Sequence, residues 1–168
     1  MIWGEYRSDD VVANQLTTNN PQLQNVLTEN ITASNAFTTW DQFYYIINQA
    51  NTIIDQAPLV AEKDMAFTQS ELKADLAECS ALRDLCYFYL IRTFRDVPYT
   101  TTPYYDDDQV KNLPATKFDA VLDSLIADLE SVKDDAVSVW PATSESKKKY
   151  QTGRITKDAI NAMLCEMY

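Results

Sequence analysis

Apolar residues recur at helical spacing along four segments of the chain. In the first segment, residues 40–57, one face carries Trp40, Phe43 or Tyr44, Ile47, Asn51 and Ile54. Steps of three and four residues predict an amphipathic α-helix. We expect Pro58 to end this helix, because proline lacks the backbone N–H that the next turn requires.

The second segment predicts a long helix over residues 69–94. Thr68 and Glu71 have the spacing of a capping box, in which the two side chains accept hydrogen bonds from backbone N–H groups at the start of the helix. From residue 85 onward the helix is apolar on nearly every side, but a membrane-spanning helix needs about 20 apolar residues. The pattern therefore predicts a central core helix covered by other helices. We expect buried side chains at Tyr87, Phe88 and Ile91.

Two shorter helices are predicted, over residues 117–133 and from residue 156 to the end. Thr116 is the expected N-cap of the first, with Asp119 at the box position. Its broad apolar stripe consists of Phe118, Val121, Leu122, Leu125, Ile126, Leu129 and Val132. The last helix has an apolar face of its own, formed by Ile160, Met163, Leu164 and Met167. We expect that face to stay partly exposed, because the pattern stops at Tyr168 without a cap.

The segments between these helices are polar or proline-rich. They cover residues 12–38, 98–115 and 141–153, and no segment alternates clearly between apolar and polar residues as a strand would. Successive helices joined by loops predict an all-α fold of stacked helix hairpins with long ordered loops.

Composition and charge exclude several classes of function. The net charge is −11, and such a field repels nucleic acids and other polyanions, so we expect no nucleic-acid partner. The chain contains no histidine, which excludes His-based acid–base catalysis and His-ligated metals. Only two glycines are present, too few for a glycine-rich phosphate loop. We therefore predict no catalytic residues, no metal site and no cofactor.

Several side chains have both a functional and a structural interpretation. We interpret Glu78 and Arg83 as members of an intrahelical or interhelical ion pair that orients the core helix, because glycoside cleavage would need a nucleophile or a second carboxylate. The run 106–108 is acidic, but consecutive residues point in different directions, so a solvated turn is favoured over a calcium site. Trp40 and Tyr44 could stack on sugar rings, although their helical register favours the core. The cysteines Cys79, Cys86 and Cys165 are interpreted as buried free thiols.

The segment 12–38 is the candidate binding region. It holds six Asn, three Gln and five Thr, with Glu29 as its only charged residue. Amides and hydroxyls suit neutral sugar hydroxyls, because they donate and accept hydrogen bonds and cost less to desolvate than ions. The predicted glycan-binding residues are Asp10, Asn19, Asn20, Asn35 and Phe37. The alternative, a polar surface loop without a ligand, stays open for each of them.

The order of motifs resembles the amino-terminal portion of the SusD/RagB family. The first helix carries the spacing W-x3-Y-x2-I-x3-N, from Trp40 to Asn51. Residues 78–98 follow, with Glu78 and Arg83 inside the helix and Asp-Val-Pro after it. Residues 153–157, Gly-Arg-Ile-Thr-Lys, then open the last helix. The family usually has Gly before Asp-Val-Pro, whereas this chain has Arg95, which lacks glycine's freedom to leave a helix with a left-handed residue.

The resemblance implies an all-α fold of tetratricopeptide-like helix pairs. It also implies a surface-exposed lipoprotein of the Bacteroidetes outer membrane that captures oligo- or polysaccharide beside a TonB-dependent transporter, and that is not an enzyme. A signal peptide and a lipid-bearing Cys, expected for full-length members, are not found in this sequence. We therefore expect residues 1–168 to form a single domain, the SusD-like amino-terminal region, truncated at both ends.

Two functions remain open at this point. In the first, the chain is the glycan-binding component of a nutrient-uptake system. In the second, it is a helical interaction scaffold that docks on the transporter without a ligand site of its own. Substitutions in the polar segment 12–38 distinguish them, since only the first function predicts a loss of glycan affinity.

Overall fold

A computed structural model describes residue 14 and residues 19–106, 112–140 and 153–168. The chain divides into two compact units, Met1–Gln42 and Phe43–Tyr168. The described elements, in chain order, are α1 (Pro21–Leu27), a 3-10 turn (Ala36–Thr38), α2 (Asp41–Ala61), α3 (Gln69–Phe94), β1 (Val97–Pro98), β2 (Ala115–Thr116), α4 (Phe118–Val132) and α5 (Lys157–Met167). The predicted all-α class is confirmed, and the single-domain organisation stays a prediction.

The first unit contains two short helical elements that the sequence prediction treated as loop. Asn20 caps α1 by accepting a hydrogen bond from Leu23 N at 3.1 Å, and Pro21 occupies the first turn, where its missing N–H costs nothing. Asn35 caps the 3-10 turn in the same way, through Phe37 N at 2.9 Å. The Asn-Pro pair is a helix-start pattern that the compositional reading overlooked.

α2 continues past the proline that was expected to end it. Pro58 lies inside the last turn of the helix, and its carbonyl accepts a hydrogen bond from Glu62 N at 3.2 Å. Proline removes one donor but keeps a helical φ and a usable carbonyl, so a helix near its end loses little. The prediction that Pro58 ends α2 was therefore wrong by about one turn.

α3 is the central helix of the second unit. The capping box at its start is confirmed, with Thr68 Oγ1 accepting from Glu71 N at 3.2 Å and Glu71 accepting from Thr68 N at 2.9 Å. The expected core side chains are confirmed, with Tyr87 and Ile91 fully buried and Phe88 7% exposed. This helix runs antiparallel to α2, because Tyr44 meets Tyr87 while Asn51 meets Arg83.

The exit from α3 is made without glycine. Arg95 adopts a φ of 66°, and its guanidinium lies 5.4 Å from the centre of the Phe118 ring. The chain then forms β1, which pairs antiparallel with β2 through Val97–Thr116 and Pro98–Ala115. The sharp exit expected from glycine is therefore made by arginine at a backbone geometry that disfavours a Cβ.

α4 is capped by a residue distant in sequence. Its N-cap position is Lys117, which makes no side-chain capping bond, whereas Asp96 Oδ1 accepts from Phe118 N at 3.1 Å. Asp96 also pairs with Lys117 Nζ at 2.6 Å. The prediction that Thr116 caps this helix was wrong, because Thr116 belongs to β2.

α5 packs against α4, and its apolar face is largely covered. Ile160 is fully buried, and Leu164 and Met167 are 5% and 6% exposed. The expectation of an exposed face was therefore wrong for these three residues.

α4 runs antiparallel to α3, because Lys73 meets Asp135 while Arg83 meets Asp128. α5 runs parallel to α3 and so antiparallel to α4, because Arg154 meets Glu78 while Arg92 meets Glu166. This is the predicted tetratricopeptide-like stack of hairpins.

The three thiols differ in environment. Cys86 is buried and Cys79 is half-buried, but Cys165 is exposed, so the prediction of three buried thiols was wrong for Cys165.

In the described part of the chain, we find no helix that combines the length and the apolar character needed to cross a membrane.

Candidate functional site

Two of the predicted binding residues of the first unit, Asn20 and Asn35, have local structural roles. Asn35 is 3% exposed, and its Nδ2 donates to Gln22 O at 2.8 Å. Asn20 caps α1, Asn19 is exposed and Phe37 is half-buried. Asp10 lies outside the described residues. A direct role of these five residues in binding glycan stays a prediction.

Gln22 was missed by the sequence reading. Its Oε1 accepts from Ala36 N at 2.8 Å, while its backbone carbonyl receives the Asn35 amide. The two side chains thereby join α1 to the 3-10 turn. Asn35 Oδ1 accepts from Phe37 N and Asn35 Nδ2 donates to Gln22 O, so both polar atoms of this side chain stabilise the local backbone.

In the second unit, one face of α2 holds the loop of residues 98–106 by its backbone. Tyr44 donates its hydroxyl to Pro98 O at 2.7 Å. One turn further, Asn48 binds both backbone atoms of Tyr104, with Nδ2 to O at 2.9 Å and N to Oδ1 at 2.8 Å. The following turn brings Asn51 Nδ2 to Thr100 O at 3.3 Å. These helix-face residues fix the path of the loop.

α3 holds the same loop from the other side. The buried hydroxyl of Tyr87 donates to Thr100 O at 2.9 Å and accepts from Thr100 N at 3.0 Å. The ring of Tyr99 packs on that of Tyr87, with ring centres 4.8 Å apart. Burial raises the pKa of the Tyr44 and Tyr99 hydroxyls to about 12, so both stay protonated. The interior of this site is therefore a set of neutral tyrosines.

The outer end of the loop carries an exposed polar and aromatic cluster. Tyr105 is 55% exposed, and its hydroxyl donates to Asp55 Oδ2. Gln56 Nε2 donates to the same carboxylate at 2.6 Å and to the Tyr105 hydroxyl at 2.7 Å. We call this set, Tyr105, Asp55 and Gln56, the Tyr105 cluster. The hydrogen bonds from Tyr105 and Gln56 lower the pKa of Asp55, which is therefore ionised at neutral pH.

Behind this surface lies a buried charge cluster. The Arg83 guanidinium, 5% exposed, pairs with Asp128, and it donates to Asn51 Oδ1 at 3.1 Å and to Asp84 Oδ1 at 3.4 Å. Asp84 is fully buried, and burial, with the Asp128 charge beside it, raises its pKa well above the usual range despite Arg83. When Asp84 is protonated, the Arg83 guanidinium faces one carboxylate, that of Asp128, and the buried cluster carries no net charge.

The last recognised motif is bound to α3 by Glu78. Arg154 Nε donates to both carboxylate oxygens of Glu78, at 3.1 and 3.0 Å, and Ile155 N donates to Glu78 Oε1 at 3.2 Å. The guanidinium also stacks on Trp140, 3.3 Å from the ring centre. Glu78 and Arg83 are therefore both ion-paired as expected, and of the two predicted alternatives it is pairing with residues outside α3 that the structure shows.

The exposed groups at these sites are polar and aromatic side chains. Within the described residues, no group of three or more acidic or thiol side chains could hold a metal ion. The Tyr105 cluster instead places an aromatic ring, a carboxylate and an amide side by side at the surface. Sequence reasoning missed this cluster, because Asp55 and Tyr105 are fifty residues apart and meet only through the loop's anchoring.

Comparison with known proteins extends this picture. The family model SusD-like_3, described as "Starch-binding associating with outer membrane", matches residues 4–168. SusD-like protein P38 of Formosa agariphila is 30% identical over 141 residues, which are 82% of this chain and 26% of that protein. The chain thus spans about a quarter of that relative's length.

Solved structures share the fold. A laminarin-binding SusD-like protein superposes with a TM-score of 0.73 at 24% identity, covering 90% of this chain and 30% of that one. Surface glycan-binding protein A from Bacteroides uniformis gives a TM-score of 0.77 at 20% identity, covering 99% of this chain and 35% of that one. With the family model matching almost the whole sequence, the chain belongs to the SusD-like_3 family.

Proposed function

We propose that this chain is part of a glycan-binding component of a Bacteroidetes outer-membrane nutrient-uptake system. The component captures oligo- or polysaccharide at the cell surface, as a lipoprotein beside a TonB-dependent transporter. The observation that carries the proposal is the family match over residues 4–168, whose description joins starch binding to the outer membrane. The names of two structural relatives, one laminarin-binding and one glycan-binding, support the same class of ligand.

The charge and the described sites fit a neutral ligand. A net charge of −11 disfavours anionic polymers, and the exposed groups of the Tyr105 cluster suit hydroxyl-rich molecules. We propose further that the chain binds sugars without cleaving them. Purified protein should then release no reducing ends from a bound polysaccharide above a heat-inactivated control.

Native gels containing laminarin, soluble starch or xylan test the proposal. We expect the chain to migrate more slowly in at least one of them than in a gel without polysaccharide, relative to an albumin marker. Equal migration in every gel would contradict glycan binding by this chain.

A docking scaffold is the second candidate, and one observation favours it. The side of α2 away from the core exposes Ile46, Ile53 and Val60, at 36%, 46% and 50%. Residues seven apart lie on one side of a helix, and contiguous exposed apolar surface often marks a protein contact. Replacing Ile53 and Val60 with Ser should weaken co-purification with a co-expressed transporter if the scaffold function holds, and unchanged co-purification would contradict it.

A further inference from the structure

We propose that the Tyr105 cluster is a contact site for a neutral sugar, with the Tyr105 ring as the stacking surface and Asp55 and Gln56 as hydrogen-bonding groups beside it. The inference rests on the proposed glycan binding and assigns residues to it in the second unit. None of these three residues belongs to the polar segment that the sequence analysis selected.

The ring is exposed and held at both ends. Tyr105 is 55% exposed, yet its hydroxyl bonds to Asp55 and Gln56. Its chain neighbour Tyr104 is fixed to Asn48 by two backbone hydrogen bonds. An aromatic ring that is already ordered loses little conformational entropy when a ligand packs on it. The apolar C–H face of a pyranose is a suitable partner for such a surface.

The polar neighbours keep capacity for a ligand. Asp55 and Gln56 are both exposed, and the bonds described above use Asp55 Oδ2 and Gln56 Nε2. No described residue donates to Asp55 Oδ1 or Gln56 Oε1. Each is an acceptor for a sugar hydroxyl, and the ionised Asp55 forms the stronger, charge-assisted bond.

The same helix extends the surface away from Tyr105. Tyr45 is 63% exposed and precedes Gln56 by eleven residues, which is close to three full turns, so the two share one face of α2 about 16 Å apart. Gln49 lies between them on that face and is exposed. Aromatic rings at the two ends with amides between them fit an extended chain of sugars better than a single ring.

Charge selects the class of sugar. Asp55 is ionised and lies beside the Tyr105 hydroxyl. A uronate or sulfate group at this surface would face this like charge, which disfavours its binding. The site therefore suits neutral glycans.

A structural latch is the competing explanation of the cluster. In that case the Tyr105 hydroxyl only ties the loop to α2, and the ring face contacts no ligand. Tyr105→Phe and Tyr105→Ala separate the two explanations. Phe lacks the hydroxyl but keeps the ring, whereas Ala lacks both.

The test uses the whole 168-residue chain. Affinity for laminarin, soluble starch and xylan is measured by titration calorimetry for the wild type and for each variant, with thermal melts as the check of folding. We expect Tyr105→Ala to weaken binding at least about tenfold, which is about 1.4 kcal/mol. Gln56→Ala should weaken binding several-fold, because it removes one hydrogen bond to the ligand. The affinity of Tyr105→Phe should stay within about threefold of the wild type, because the ring contact is kept. Tyr89→Ala, which removes a tyrosine of α3 that is 51% exposed, is the matched control and should leave affinity unchanged.

The outcomes separate this inference from the proposed function. If the wild type binds and both Tyr105→Ala and Gln56→Ala bind as tightly, the site assignment is overturned while glycan binding stands. If the wild type binds none of the three polymers, the proposed function and the inference fail together. Should Tyr105→Ala fail to fold, Gln56→Ala and Tyr45→Ala decide, because both remove exposed side chains of a long helix.

Discussion

The hydroxyl of Tyr87 forms two hydrogen bonds with the backbone of Thr100. It donates to Thr100 O at 2.9 Å and accepts from Thr100 N at 3.0 Å. A fully buried tyrosine thereby satisfies both backbone groups of one loop residue. Tyr87→Phe leaves these groups without that partner, and we expect it to lower the free energy of unfolding by about 1–3 kcal/mol. Urea denaturation measures the change.

Tyr89→Phe is the control for that substitution. Tyr89 lies two residues further along α3 and is 51% exposed, so removing its hydroxyl should change stability by less than about 0.5 kcal/mol. Equal losses for the two variants would show that the Tyr87–Thr100 bonds contribute nothing to stability.

The positive φ of Arg95 gives a second prediction. Arg95→Gly and Arg95→Ala both remove the contact with the Phe118 ring, but only Gly adopts a φ of 66° without a steric cost. We expect Arg95→Gly to be more stable than Arg95→Ala by about 1 kcal/mol, the reverse of their usual order within helices. Thermal melts compare the two variants. An alanine variant as stable as the glycine variant would mean that the residue leaves α3 with a negative φ.

The buried Asp84 predicts a specific dependence of stability on pH. Because burial and Asp128 raise its pKa, the folded protein holds a proton that the unfolded chain releases above about pH 4. Raising the pH from there through the raised pKa therefore destabilises the fold. Asp84→Asn mimics the protonated carboxyl, so it should match the wild type near pH 4 and be the more stable protein at pH 8.

Melts of both proteins across this pH range provide the measurement. Other carboxyls, such as Asp96 and Glu71, have lowered pKa values and contribute equally to both proteins, so the difference isolates Asp84. If Asp84→Asn is the less stable protein at pH 8, Asp84 is ionised in the fold and its pairing with Arg83 outweighs burial.

The thiols provide a further test of the packing. Burial raises the pKa of both Cys79 and Cys86 to about 11, whereas Cys165 is exposed. Since the thiolate is the reactive form, a disulfide reagent at pH 8 should label one thiol quickly and all three only after denaturation. Cys165→Ser should abolish the fast phase. A fast phase that persists in this variant would contradict the packing around α3.

Local patterns predicted the helices well where the decisive residues are close in sequence. The capping box at Thr68 and Glu71 located the start of α3, and the all-round apolar run identified its buried half. The start of α4 was misjudged because Asp96, twenty-two residues upstream of Phe118, does the capping. Such a contact depends on how β1 and β2 pair, which spacing along the chain does not reveal.

Pairing partners were the least predictable feature for the same reason. The sequence left open whether Glu78 and Arg83 pair within the helix or beyond it, and the structure pairs Glu78 with Arg154 and Arg83 with Asp128. The Tyr105 cluster likewise joins residues from α2 and a distant loop. Composition selected the polar segment 12–38 as the binding region. A count of amides does not distinguish those that build turns, as Asn35 does, from those that face solvent.

α2 and α3 hold the loop after β1 through main-chain atoms: the carbonyls of Pro98, Thr100 and Tyr104 and the N–H groups of the last two. Nearly any amino acid supplies those atoms, so these hydrogen bonds do not depend on the loop's side chains, while the Tyr99 ring adds packing on Tyr87. A residue at the exposed end of the loop can therefore be exchanged without removing these main-chain hydrogen bonds. Under the proposed sugar contact, a substitution at position 105 alters ligand preference and leaves the main-chain framework of the loop in place.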